Sequence, residues 1–201
     1  MILIADYINE FSVSFPTAGE MLPWHFTSQL PELLSSLIEL LKDEFIIENN
    51  IAVHRSAIIE EGVVIKGPAI IYANCFVGAH AYLRGGVFLN NSVSIGPCVE
   101  IKTSYIGSNS SVAHFNFIGD SLLGSNVNFE AGSVIANHYN ERKEKLISVR
   151  INGNDFETGT MKFGALVGDH SKVGANAVLS PGTILPLASI VKRLALVEQQ
   201  R

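Results

Sequence analysis

The chain has 201 residues, 47% of them apolar, and carries 14 Lys and Arg against 19 Asp and Glu for a net charge of −5. That is enough material for one core plus an accessory element, and it excludes an overall basic footprint for nucleic acid, so any anion site has to be local. The opening apolar run stops at Asp6 and no later run approaches the length of a membrane span, which points to the cytoplasm and to reduced, structural roles for Cys75 and Cys98.

In chain order, residues 1–48 read as a helical N-terminal cap. "ADYINEFSVSF" is a short amphipathic candidate, and "TSQLPELLSSLIELLKDEF" offers Ser28 as N-cap and Pro31 in the first turn. Leu33, Leu34, Leu37, Leu40 and Leu41 would form one apolar stripe. The expected place of this segment is over the first coil of the repeat region that begins near residue 49, where an open strand edge would otherwise invite pairing.

From Val53 the period changes. Aliphatic residues recur every six positions at Val53, Ile59, Ile65, Ile71, Val77, Leu83, Leu89, Ile95 and Ile101. After one five-residue step the ladder continues through Ile106, Val112 and Ile118, and after another through Leu123, Phe129 and Ile135. It resumes at Val167 and runs to Val191. Four residues after the ladder positions stands a second, smaller set that includes Ala57, Val63, Ala69, Cys75, Ala81 and Val87; three residues after many of the ladder positions stand Gly or Asn, which tolerate positive φ. Period six fits neither an amphipathic helix nor a simple hairpin, but it fits a solenoid with three short strands per coil of about eighteen residues. The ladder makes nearly seven coils, a prism on the order of 30 Å long at roughly 4.8 Å per coil.

The β-helix is expected over 49–192, interrupted at about 136–165, with a C-terminal tail at 193–201. The interruption contains "LISVRINGNDFETG", two strand-like runs around an Asn-Gly turn, which predicts a β-hairpin.

The repeat also says which side chains share a face. Arg84 and Lys102 each follow a ladder residue and are eighteen apart, so they stack as like charges in neighbouring coils. That arrangement suits a phosphate held across both. His114 follows Val112 by two residues among small or uncharged neighbours and has the chemistry of a general base, although a surface role fits the same spacing.

The stretch from "AYLRGG" through "VEIKTS", "VAHFNFIGD" and "GSNVNFEAGSVIAN" to Lys143 resembles the acetyltransferase domain of the bifunctional N-acetylglucosamine-1-phosphate uridyltransferase/glucosamine-1-phosphate acetyltransferase. It places the chain with the hexapeptide-repeat acyltransferases. The resemblance implies a mainly β protein, a left-handed parallel β-helix with the helical cap and hairpin insertion, assembled as a homotrimer. It implies acyl transfer from acetyl-CoA or another acyl thioester, with no tightly bound cofactor, no metal and no nucleotidyl transfer. Carried over by position, His114 is the base, and Arg84, Lys102, Phe117, Asn128 and Lys143 bind a sugar phosphate or nucleotide sugar. Ala131, Asn137 and His138 lie along acetyl-CoA. Phe117 and His138 stand where that family has tyrosines, and Glu130 where it has a glycine. Two alternatives remain open: a non-catalytic trimeric sugar-phosphate binder, and an acyltransferase that takes its acyl group from acyl carrier protein.

Overall fold

A computed structural model describes residues 2–151 and 153–198. Each six-residue unit forms a short strand and a turn, and three units close one coil, so strands eighteen residues apart pair in parallel. Three walls result. The first carries Ile51–His54, Ala69–Ile71, the second halves of Tyr82–Leu89 and Glu100–Ile106, then Leu122–Leu123, Ala165–Val167 and Thr183–Leu185. The second wall is a separate seven-stranded sheet from Ile58–Ile59 to Ile190–Val191. The third runs from Val64–Ile65 through the first halves of the two long strands and Phe117–Gly119 to Leu196–Val197.

In the first coil Val53 and Ile65 are half-buried and Ile59 is exposed, whereas from Ala69 and Ile71 onward the ladder residues and the small set behind them fill the prism, as the period requires. Ile71, Val77, Leu83, Leu89, Ile95 and Ile101 are fully buried there, with Cys75 and Ala81 between them. The corner between the second and third walls turns through positive φ at Gly62, His80, Cys98, Phe115, Gly132, Asn176 and Leu194. Only two of these seven are glycines: the stacked pairing on both sides imposes a left-handed turn on side chains that disfavour it.

The N-terminal segment is helical, but it lies along a side wall. On the first wall the outward-facing residues are themselves apolar, namely Ala52, Ile70, Phe88, Tyr105, Leu122, Leu166 and Ile184, and all are buried. They are covered by helix α1 (Phe11–Ser14) and helix α2 (Pro23–Ile38). Phe88 stacks on Tyr105 at 5.2 Å, and Phe11 and Phe15 both meet Phe26 edge-on at 4.9 Å. Two carboxylates fasten the segment. Glu10 accepts from the backbone N–H of Ser108 and the hydroxyl of Ser125, and Asp169 accepts from the backbone N–H groups of Asn9 and Ser125.

Helix α2 begins at Pro23, five residues before Ser28, because proline at the first helical position needs no N–H partner. Its buried face is Trp24, Phe26, Leu30, Leu34 and Ile38; of the expected leucine stripe, Leu34 is buried and Leu33, Leu37 and Leu41 pack half-buried against the same core, whereas Leu40 lies beyond the helix end, 73% exposed. The first coil is edged by an antiparallel strand, Phe45–Glu48, paired with Ile51–His54. The expected hairpin forms from Ser148–Ile151 and Asn154–Glu157; of its turn, Asn152 lies outside the described residues. Ala165 already belongs to the first wall. Leu196–Val197 pairs with Val178–Leu179, so the β-helix extends past residue 192. The last three residues of the expected tail, 199–201, lie outside the described residues.

Candidate functional site

Arg84 and Lys102 are direct register partners on the third wall, where it turns toward the first. Each cation has its own carboxylate. Arg84 donates to Glu100 at 2.7 Å and lies 5.7 Å from the Tyr82 ring. Lys102 Nζ donates to Asp120 Oδ2 at 2.5 Å. The first pair is about one-third exposed, at 35% and 33%, whereas the second is nearly enclosed, at 15% and 10%.

Asp120 also accepts from the Nδ2 of Asn137, so one carboxylate joins three successive coils. Asn137 is buried and its Oδ1 lies 3.2 Å from His138 Nδ1. Gly119 makes room for this: a Cβ there would stand 2.8 Å from the Phe117 ring and 3.0 Å from the Asn137 side chain. Phe117 itself is half-buried, in register with Glu100 and Val134.

His114 stands at the opposite edge of the same wall. It is exposed, and its ring lies edge-on to Phe115 at 5.5 Å. Gly119 pairs with Lys102, and between it and His114 the chain passes through the left-handed corner at Phe115 and then runs as the strand Phe117–Gly119. Within one chain, then, the expected base and the expected phosphate-binding cations bound one wall without touching. Ala131 continues the His114 corner in the next coil, where Gly132 N donates to the carbonyl of His114. Beside it, Glu130 accepts from Nε and Nη2 of Arg193 and from the N–H of Ala175, which hold its carboxyl down at about 2. Asn128 is on the second wall, between Ser111 and Lys172, and Lys143 is exposed in the insertion.

The residues that sequence reasoning passed over are the carboxylates. Asp120 lies eighteen residues after Lys102, so the same count that stacks Arg84 on Lys102 reaches it.

A family model described as the GMPPB C-terminal domain matches residues 47–155, the stretch that holds Arg84, Lys102, His114 and the Asp120–Asn137 junction. The chain belongs to this family. It is 34% identical over 142 residues to a bifunctional sugar-1-phosphate nucleotidylyltransferase/acetyltransferase of Sulfurisphaera tokodaii, covering 68% of this chain and 35% of the relative. It is 33% identical over 183 residues to the bifunctional protein GlmU of Methanococcus vannielii, covering 88% of this chain and 43% of the relative. Family membership therefore rests on the β-helix, and the chain spans less than half the length of these curated relatives. Among solved structures, PerB from Caulobacter crescentus, in complex with CoA and GDP-perosamine, matches with a TM-score of 0.35 and 12% identity over 70% of this chain and 50% of that one.

Proposed function

We propose that this family member transfers an acyl group, acetyl from acetyl-CoA, to an amine or hydroxyl of a sugar phosphate or nucleotide-linked sugar. The observation that carries the reading is the third wall itself. An exposed histidine occupies one edge and a stacked Arg–Lys pair the other, on a chain with a relative named as a bifunctional sugar-1-phosphate nucleotidylyltransferase/acetyltransferase.

In this mechanism His114 takes the proton from the acceptor as its nitrogen or oxygen attacks the thioester carbonyl. The C–S bond breaks, and the CoA thiolate leaves and is protonated in turn. Positioning of the two substrates supplies much of the acceleration, and the base contributes about 10²–10⁴-fold. Arg84 and Lys102 hold the phosphate, with their carboxylates fixing where the cations point. Phe117, Asn128 and Lys143 contact the acceptor, and Ala131, Asn137 and His138 the acetyl-CoA.

These residues occupy two walls, two edges and the insertion of one chain, so the complete site needs neighbouring prisms. A homotrimer supplies them. Its chemistry is supported by where the apolar surface lies: helices cover the first wall, while the other two and their shared corner expose Ile58, Val64, Phe115, Ile190, Leu194 and Leu196. The cytoplasm is the compartment we assign to it.

The second reading, a trimeric sugar-phosphate binder without catalysis, is favoured by one feature: among the described residues no side chain hydrogen-bonds the His114 ring to set its tautomer. The experiment that separates the two is thiol release from acetyl-CoA and from acyl-carrier-protein thioesters, against amino sugars, sugar phosphates and nucleotide sugars. Turnover that falls by two to four orders of magnitude in His114→Ala, with substrate binding retained, is the expected result. Binding of sugar phosphate without turnover with any pair would leave only the binder.

A further inference from the structure

Three parts of the chain that are remote in sequence close a cleft of about 440 Å³ beside the Lys102–Asp120 pair. Helix α2 supplies Ser28, the corner of the third and first walls supplies Lys102, Thr103 and Asp120, and the returning limb of the insertion supplies Thr160 and Lys162. Two of these parts lie outside the repeat.

The charges in the cleft do not cancel. Lys102 is committed to Asp120, and that carboxylate is shared with Asn137. Lys162 is exposed, and its ammonium has no carboxylate partner among the described residues. The cleft therefore carries one cation in excess. Thr103 lies in the left-handed region, at φ 47, and is 8% exposed with no protein partner for its hydroxyl among the described residues. Lys162 is held in place from its backbone, since its N–H donates to Thr160 Oγ1 and its carbonyl accepts from the same hydroxyl. A hydroxyl donor, a held lysine and a second lysine steadied by a carboxylate make a cradle for a phosphate ester. The volume falls in the range of small-ligand sites and leaves room for more than a phosphate group.

We infer that Lys162, on the insertion, is a binding residue for the phosphate of the acceptor, with Thr103 and Lys102 as its partners in the cleft. The identity of the ligand as acceptor rests on the proposed function; the anion site itself does not. The shared chemistry is a phosphate ester, which a sugar 1-phosphate and a nucleotide-linked sugar both carry.

The test is calorimetric titration of glucosamine 1-phosphate, UDP-glucosamine and coenzyme A into the wild-type protein and into Lys162→Ala, Lys162→Glu and Lys162→Arg. Because Lys162 is exposed, these variants are expected to fold, which thermal melting checks. Loss of one charge-assisted contact should weaken the phosphate-bearing sugar about 10-fold or more in Lys162→Ala. The loss should be larger in Lys162→Glu and largely restored in Lys162→Arg, with coenzyme A unaffected. Which sugar ligand shows the effect identifies the source of the phosphate. Unchanged affinity for both sugars across the series, no binding of either to the wild type, or an equal loss for coenzyme A overturns the inference. The measurement needs no turnover, so Lys162-dependent binding without thiol release refutes the acyltransferase reading and leaves the anion site standing.

Discussion

The two ion pairs of the third wall make a controlled comparison, because they sit one coil apart and differ chiefly in burial. Arg84–Glu100 is about one-third exposed on both sides, and a pair of that kind is worth about 0.2–1 kcal/mol. Lys102–Asp120 is 15% and 10% exposed, with a 2.5 Å contact. Asp120 carries a second bond from Asn137. Removing one partner leaves a nearly enclosed charge unpaired, which in full burial costs about 3–5 kcal/mol. The open cleft beside the pair admits water, so a coupling of about 2–3 kcal/mol is expected. The perturbation is Asp120→Asn, which suits the left-handed φ of 46 and keeps an acceptor for Asn137. Combined with Lys102→Met, it forms a double-mutant cycle read by urea unfolding followed by circular dichroism. Glu100→Gln with Arg84→Met forms the reference cycle. Asp120→Asn alone should lower the melting temperature by about 5–10 °C, at ~2–4 °C per kcal/mol for a domain of this size. Equal coupling in the two cycles, or a value under about 0.5 kcal/mol for Lys102–Asp120, would refute the claim that burial separates them.

Other parts of the molecule carry further expected outcomes. Phe88→Ala should destabilise by about 3–5 kcal/mol and make the first forty residues sensitive to limited proteolysis, since Phe88 is 1% exposed beneath the N-terminal helices; unchanged protection would detach the helices from the wall. Among the described residues the hydroxyl of Tyr105 is buried without a partner in bonding geometry, so Tyr105→Phe should be neutral or raise stability by about 1 kcal/mol in the same unfolding assay. Cys98 is exposed, whereas burial pushes the Cys75 thiol up to about 11; a thiol reagent at neutral pH should label one cysteine in the folded protein and both after denaturation. Glu130 has its carboxyl lowered to about 2, chiefly by Arg193. A lowered carboxyl pKa adds stability that is present above the unfolded value near ~4.3 and is lost as pH falls toward 2. NMR titration should place the Glu130 midpoint near 2, and Arg193→Ala should return it toward the ordinary range.

Much of the site is legible in the sequence because the repeat converts sequence distance into spatial distance. The count that separates Arg84 from Lys102 is the length of one coil, and the two are register partners. The same count reaches Asp120, whose significance is hidden because a carboxylate near a turn reads as a corner residue. What the count cannot supply is the lateral distance across a wall. His114 and Lys102 fall near one another in the stacked order yet occupy opposite edges, because the corner at Phe115 and the strand Phe117–Gly119, whose end pairs with Lys102, lie between them.

The inward ladder, the coil length, the hairpin and the place of Cys75 were determined by the sequence alone, since each depends on a local period that packing then satisfies. The course of the N-terminal segment was not. Its signal was present in the apolar residues just before the ladder positions, Ile70, Phe88, Tyr105 and Leu122, spaced about one coil apart. A single outward phenylalanine is unremarkable; a column of apolar side chains needs a cover. Only the tertiary structure showed which segment provides it, because an amphipathic helix can bury its face against the end or the side of a prism equally well, and the Phe11, Phe15 and Phe26 packing selects the side. By the same logic, the Lys162 cleft exists only where helix, corner and insertion meet, a meeting that no period along the chain encodes.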